Sequence, residues 1–283
     1  MNGRIAAIIP TFNEVDLLTA CVRSLQAQNY PSLDIYVVNA GDPLGVDLGI
    51  HELAVPSNYF WTSCIDSGVK EALKDKPDYL LFTNADTTFL DNSLEKLVAA
   101  VKGKDKTIAC SPAYLQLGDT PVDLLYSHQS DLGPLLYGKL TKAWQGPNDA
   151  PEEPFTVDLT GGQGVLIPAA LFDKAEMDVK NFPHYASDHD LWLQARRLGY
   201  RLLLVPKAGI VNKRDFNESK RRNFGSLLKA LRKRMSSEYT PESWVIMWRL
   251  RRKHQGAFLG FFTTLASFGL RWTVGLPKII RRS

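Results

Sequence analysis

Asp86 follows the apolar run Tyr79-Leu80-Leu81-Phe82 by four positions, in Thr83-Asn84-Ala85-Asp86, where a buried strand should end. A carboxylate at a strand exit can hold a hard cation through oxygen ligands, and such a cation offsets diphosphate charge when a nucleotide departs. Taken alone, Asp86 reads equally well as a turn or helix cap. Its company decides. Asn13 and Glu14 follow the apolar run at 4–9, and Asn39 to Asp42 follow the one at 34–39. Ligands of open α/β sheets collect beyond the carboxyl ends of the strands, so three polar exits predict one polar mouth. A second acidic group lies in Tyr185-Ala186-Ser187-Asp188-His189-Asp190. Asp188 falls at the start of a predicted helix, and Asp190, two residues on, points to another side. One acid can catalyse while the other caps; His189 is read as a surface side chain.

The elements that must position these groups follow from periodicity. Ile- and Val-rich runs alternate with segments of helical period, the pattern of βαβ units and a mostly parallel sheet. Strands are predicted at 4–9, 34–39, 79–83 and 107–111, around Gly161-Gly162-Gln163-Gly164-Val165, and at 200–206. Helices are predicted from an Asn13 cap to about Gln26, and at 61–73, 93–101 and 187–198. Residues 113–155 are rich in Gly, Pro and Asp with little periodicity and read as a long functional loop region.

The net charge of +4 conceals an asymmetry. Residues 213–283 hold 17 Lys and Arg against 4 Asp and Glu, whereas residues 1–212 hold 17 against 26. From about residue 217, Lys/Arg clusters combine with Trp, Phe and Leu at helical spacing, and Ala257 to Leu270 carries no charge. Such helices suit an anionic lipid surface, where each basic residue contributes about 1 kcal/mol. The other reading is a helical cap with a solvated basic face. Nucleic acid is not expected as a partner, because the mouth is acidic and the tail aromatics lie among aliphatics. No run reaches the roughly 18 to 20 apolar residues of a spanning helix. The opening Met1 to Pro10 reads as a first strand and not a secretory leader. Cys21, Cys64 and Cys110, odd in number and widely spaced, suggest neither a disulfide framework nor a zinc cluster. The expected location is cytoplasmic, peripheral at the inner face of the cell membrane.

Taken in order, these stretches resemble the family 2 glycosyltransferases of the GT-A fold, especially a bacterial rhamnosyltransferase-like branch. The likeness covers residues 4 to about 212. "AAIIPTFNE" is similar to the opening strand and nucleotide-holding turn, and "IYVVNAGD" to the second-strand signature. "TNADTTFLDNSLEKLV" resembles the metal-binding Asp motif, "GGQGVLIPAALFDKA" the acceptor-side strand, and "NFPHYASDHDLWLQARRLGYRLLLVPKAGIV" the stretch with the catalytic acids. "WRLRRKHQG" resembles the basic tail helix of that branch.

The resemblance implies a Rossmann-like, mostly parallel sheet with helices on both faces, followed by C-terminal amphipathic helices. It divides the chain into a GT-A domain at 1–216, with a nucleotide-sugar half at 1–112 and an acceptor half at 113–216, and a basic tail at 217–283. It also implies an inverting, metal-dependent transfer of hexosyltransferase type in cell-surface polysaccharide synthesis. The donor would be a nucleotide sugar and the acceptor a glycan or lipid-linked hydroxyl. Asp188 would be the base, and Pro10, Thr11, Asn13, Glu14, Asn39, Asp42, Asn84 and Asp86 would hold the donor. Gly161, Gly162 and Asp190 would lie on the acceptor side, and Asp86 with Asn212 would bind Mg²⁺ or Mn²⁺.

Three positions depart from the pattern. Asn39 stands in place of a base-contacting Asp, Ser187 in place of the first acid of a Glu-Asp pair, and Asn212 in place of a metal-binding His. An amide oxygen is a poorer ligand than imidazole for a transition ion, which favours weak affinity or Mg²⁺. The same three departures motivate a second reading, a fold that binds without turnover. A sugar nucleotidyltransferase would require a Gly-rich phosphate loop after the first strand, and Pro10-Thr11-Phe12-Asn13-Glu14 is not one.

Overall fold

Residues 5–10 are apolar at consecutive positions and almost wholly buried, so this strand is covered on both faces. The computed structural model of the protein describes residues 3–28, 30–116, 123–130, 139–213, 237 and 243–280. The chain order begins β1 (Ile5–Thr11), α1 (Val15–Gln26), β2 (Leu33–Asn39), β3 (His51–Ala54), α2 (Trp61–Ala72), β4 (Tyr79–Phe82), β5 (Thr87–Phe89), α3 (Ser93–Val101) and β6 (Thr107–Cys110). It continues β7 (Ala113–Leu115), β8 (Asp123–Tyr126), β9 (His128–Ser130), β10 (Lys139–Thr141), β11 (Phe155–Val157), β12 (Val165–Pro168), α4 (Ser187–Arg197), β13 (Arg201–Leu204) and β14 (Ile210–Asn212). The last two helices, here α5 and α6, span Trp244–Gln255 and Ala257–Ile280.

The main sheet has the order β11-β13-β6-β12-β4-β1-β2-β3. Its β4-β1-β2-β3 half is parallel, β13 is parallel to β6, and β12 runs antiparallel between β4 and β6. Helices cover both faces. On one, α1 presents Leu18, Cys21, Val22 and Leu25, a helical stripe, and α3 adds Leu94 and Leu97. On the other, α2 contributes Ile65 and Val69, and α4 contributes Leu191, Trp192 and Ala195. Trp192 is wholly buried, and its indole N–H is satisfied by the Thr160 carbonyl at 2.9 Å. The expected α/β fold, a mostly parallel sheet between two helical layers with C-terminal helices, is what the chain forms.

Two expectations change. Residues 113–155 are not one long loop, because β7, β8, β9 and β10 within them are hydrogen-bonded into sheets. These strands have three or four residues, too few to establish an alternating pattern. A second sheet, β5-β14-β7-β8, lies beyond the exit of β4. Nor does Asn13 cap α1. Its backbone is left-handed at φ 54°, and Glu14 holds the cap position without a side-chain cap bond.

Helix α2 sits so close to the sheet that a Cβ on Gly68 would collide with Ile8 and lie 2.9 Å from Val38 Cγ2. Gly68→Ala should destabilise the fold by about 1–3 kcal/mol through overpacking. This is read as a lower urea midpoint at unchanged slope; an equal or higher midpoint would refute the close contact.

Candidate active site

The parallel strands β1, β2 and β4 are in register, Thr11 facing Asn39 and Ile8 facing Phe82, so their carboxyl ends open at one edge. A cleft of about 580 Å³ lies there. It is lined by Pro10, Thr11 and Glu14 from the exit of β1, by Asn84 and Asp86 beyond β4, and by Gly162, Asp188 and Asn212 from the second half of the chain. The two acids singled out in the sequence, about a hundred positions apart, thus share a cavity.

Asp86 is only 8% exposed. Burial pushes its carboxyl above the ordinary aspartate range, and its own backbone amide and the Thr87 hydroxyl offset this only in part. Thr87 Oγ1 lies 3.5 Å from both Asp86 Oδ1 and Asn212 Oδ1. Among the described residues no group of three or more His, Cys, Asp or Glu could hold a metal ion. Asp86 and Asn212 nevertheless fit a hard cation that takes one or two protein oxygens and fills its shell with substrate phosphate and water. A desolvated carboxylate without a cationic partner is the kind of group such an ion stabilises.

Polar cross-links tie the two halves together. Trp61 donates its indole N–H to Asn84 Oδ1 at 2.8 Å. Gln163 Oε1 lies 3.3 Å from both Asn84 Nδ2 and Thr87 Oγ1, and its Nε2 donates to the Tyr126 hydroxyl at 3.1 Å. Burial pushes the Tyr126 phenol up to about 12, and the negative charges of Asp188 and Asp86 push the same way. One hydroxyl therefore senses both carboxylates. Gly162 is required by closeness: a Cβ there would lie 2.6 Å from the Trp61 ring and 3.4 Å from Asp188 Cβ. Thr11 lines the cleft with a buried hydroxyl that has no partner among the described residues, so a ligand group able to pair with it would remove a desolvation cost. His184, also on the wall, has its pKa lowered by burial, against an opposing pull from Asp188.

Several expected residues lie elsewhere. Asn39 is buried and committed: its Nδ2 donates to the Asp42 carbonyl and to Glu52, and its Oδ1 accepts from Gly41 N. It shapes the turn and leaves Ala40 facing the cleft. Asn13 is part of the same turn, accepting from Asp42 N at 2.7 Å, and neither it nor Asp42 lines the cavity. Gly161 backs onto the Tyr126 hydroxyl. Asp190 corrects the acceptor-side expectation, being wholly buried with its carboxylate held by Lys253 and His254. Ser187 is buried too, hydrogen-bonded to the Thr62 hydroxyl at 2.8 Å. Trp61, Tyr126 and Gln163 were not anticipated; the polar side chain set among glycines in Gly161-Gly162-Gln163-Gly164 is the one signal that could have pointed to Gln163.

Residues 6–152 match the family model described as Glycosyl transferase family 2. The chain belongs to glycosyl transferase family 2. No curated protein matches it. Among solved structures it is similar to GalNAc-T7, in a crystal structure with UDP, GalNAc and Mn²⁺, at TM-score 0.64 and 12% identity. The match covers 95% of this chain and spans 57% of that one, a likeness of fold. In this family 2 chain, the matched segment contains Asp86, whereas Asp188 and Asn212 reach the cleft from beyond it.

A carboxylate whose native pKa is raised opposes folding once it ionises, so its cost is absent below the unfolded value and grows as pH rises towards the native one. In EDTA at pH 7, Asp86→Asn should therefore melt above the wild type. The two should converge as the pH falls below the ordinary aspartate value of 3.8. Calorimetry across pH checks this, and a lower-melting variant at pH 7 would contradict the desolvated state of Asp86.

Proposed function

We propose that the chain is an inverting hexosyltransferase that moves a sugar from a nucleoside-diphosphate donor to a hydroxyl of a glycan or lipid-linked acceptor, in cell-surface polysaccharide synthesis. The observation that carries this reading is the convergence of Asp86 and Asp188 on one cleft, within a chain of family 2. Asp188 accepts the proton of the acceptor hydroxyl as its oxygen attacks the anomeric carbon. The bond from that carbon to the phosphate oxygen breaks on the opposite face. A positioned base of this kind contributes about 10²- to 10⁴-fold. Asp86 and Asn212 would hold Mg²⁺ or Mn²⁺, which would supply positive charge to offset that of the departing diphosphate. Pro10, Thr11, Glu14 and Asn84 face the donor. GalNAc-T7, similar in fold, was crystallised with UDP and Mn²⁺, in keeping with a nucleotide-sugar donor and a divalent ion here.

The same proposal places the chain at the inner face of the cell membrane. On α6, Phe258, Phe262 and Leu265 are each more than half exposed, Phe258 at 80%. Among the described residues no helix is long and apolar enough to cross a membrane. A helix with this exposed face, next to basic residues, can lie at a lipid surface with its apolar side down.

Two experiments test these readings. Wild type incubated with candidate nucleotide sugars and Mg²⁺ or Mn²⁺ should release nucleoside diphosphate. Asp188→Asn should lower transfer by about 10² or more at nearly unchanged donor affinity. Absence of release by the wild type would leave a binding protein, and substantial turnover by the variant would remove Asp188 from the base role. For the membrane, Phe258→Ser/Phe262→Ser/Leu265→Ser should weaken co-sedimentation with anionic vesicles by about tenfold or more. Equal pelleting of variant and wild type would refute the lipid-facing role of α6.

A further inference from the structure

The segment that brings His184, Tyr185 and Asp188 to the cleft is gripped on both sides by α5. Before it, Lys253 Nζ bonds Asp178 Oδ2 at 2.8 Å, and Arg249 Nη1 donates to the Asn181 carbonyl at 3.2 Å. After it, Asp190 Oδ2 receives Lys253 Nζ at 2.9 Å and Gln194 Nε2 at 2.8 Å, while Oδ1 pairs with His254 Nε2 at 2.7 Å. At the far end of α4, Arg197 donates to the His254 carbonyl at 2.8 Å. Phe182, Leu193, Ile246 and Leu250 form an apolar cluster between the same elements. One lysine thus bridges two aspartates twelve positions apart, with the cleft-facing residues strung between them.

The backbone in that span is strained. Ala186, immediately before α4, has a left-handed backbone at φ 66°, which a residue with a Cβ adopts only when its surroundings impose it. Asp188 follows two positions later, and its Oδ1 accepts from His189 N at 2.8 Å.

We propose that Lys253 and His254 are positioning residues for the transfer reaction: by holding Asp190 beneath the first turn of α4 they fix where Asp188 stands in the cleft. Helix α5 is then a working part of the active site. This rests on the proposed transferase reading, with Asp188 as the base. A carboxylate buried as fully as Asp190 requires its partners. Without them, it turns towards water and takes the first turn of α4 with it. Burial acts against the charges of Lys253 and Asp178, yet it is outweighed, for Lys253 by hydrogen bonds and attraction to Asp178 and Asp190, which raise its pKa, and for Asp178 by those from Lys253 and Asn181, which lower it.

The test compares wild type, Lys253→Met, Lys253→Arg and Asp190→Asn in transfer assays, with nucleoside diphosphate binding measured in parallel by calorimetry. A displacement near 1 Å at the reacting group can cost about 10²-fold, so Lys253→Met and Asp190→Asn should lower kcat by that order. Donor KM and nucleoside diphosphate affinity should stay within about twofold, because β1, β2 and β4 are untouched. Lys253→Arg, which keeps a cation within reach of both carboxylates, should restore most of kcat. Hydrogen exchange should show residues 182–190 losing protection in Lys253→Met. Should that variant fail to fold, the double Asp190→Asn/Lys253→Met removes both charges together and carries the same expectation. A folded variant with wild-type kcat overturns the proposal, as does a fall in donor affinity in step with kcat or an unrescued Lys253→Arg. If the wild type itself releases no nucleoside diphosphate, the transferase reading fails and takes this proposal with it; wild-type turnover with unaffected variants rejects the positioning role alone.

Discussion

A carboxylate at the bottom of a cleft, shielded from water and facing no described cation, is the constraint around which this molecule is organised. Burial raises the Asp86 pKa, so the folded chain carries an electrostatic cost that a bound cation would relieve. The cost is unavoidable given the topology. Asp86 follows β4, a central strand paired with β1 on one side and β12 on the other, and the next residue, Thr87, opens β5 of the small sheet β5-β14-β7-β8. The ends of parallel strands must expose backbone groups in one direction, which makes that edge polar and concave. Asp86 shares the cleft at that edge with Asp188 and Gly162.

Gln163 ties the two halves of the chain together at the cleft. Its amide contacts Asn84 and Thr87, neighbours of Asp86, and the Tyr126 hydroxyl, which senses Asp188. A charged residue at this hub would add a third charge between two acids. An amide both donates and accepts without changing the net field. The adjoining Gly162 lets the Trp61 ring approach the backbone, and Trp61 in turn steadies Asn84.

The strands of the main sheet were legible because burial on both faces writes itself as consecutive Ile, Val, Ala and Leu, as in Ile5 to Ile9 and Leu80 to Phe82. Asp86 and Asp188 were legible for a related reason, being acids at places where the pattern demands an element boundary. Direction was not. Asn13 and Asn39 stand at strand exits as expected, yet each is used within the turn, because a short amide can satisfy nearby backbone groups and the β2 exit supplies such groups at hydrogen-bond distance. Asp190 lies two positions from Asp188, but its role depends on Lys253 and His254, more than sixty residues later. No local rule reaches across that separation. The three- and four-residue strands between 113 and 157 escape for a different reason, since so few positions cannot display a period.

The C-terminal charge acquires a double meaning once α5 is seen against α4. Read along the sequence, the excess of Lys and Arg after residue 213 suggests a surface for anionic lipid. In the fold, Lys253 faces Asp178 and Asp190, and Arg249 caps the Asn181 carbonyl, so part of that charge neutralises acids of the main body. Those acids count among the 26 that give residues 1–212 their negative balance. Some of the asymmetry is therefore internal complementarity, not available to an external partner. The apolar face of α6, where Phe258, Phe262 and Leu265 meet solvent, has no such internal use among the described residues. A lipid surface would be recognised chiefly through these side chains. Helix α5 packs against both α4, which carries Asp188, and α6, so it is the element that joins this apolar face to the cleft.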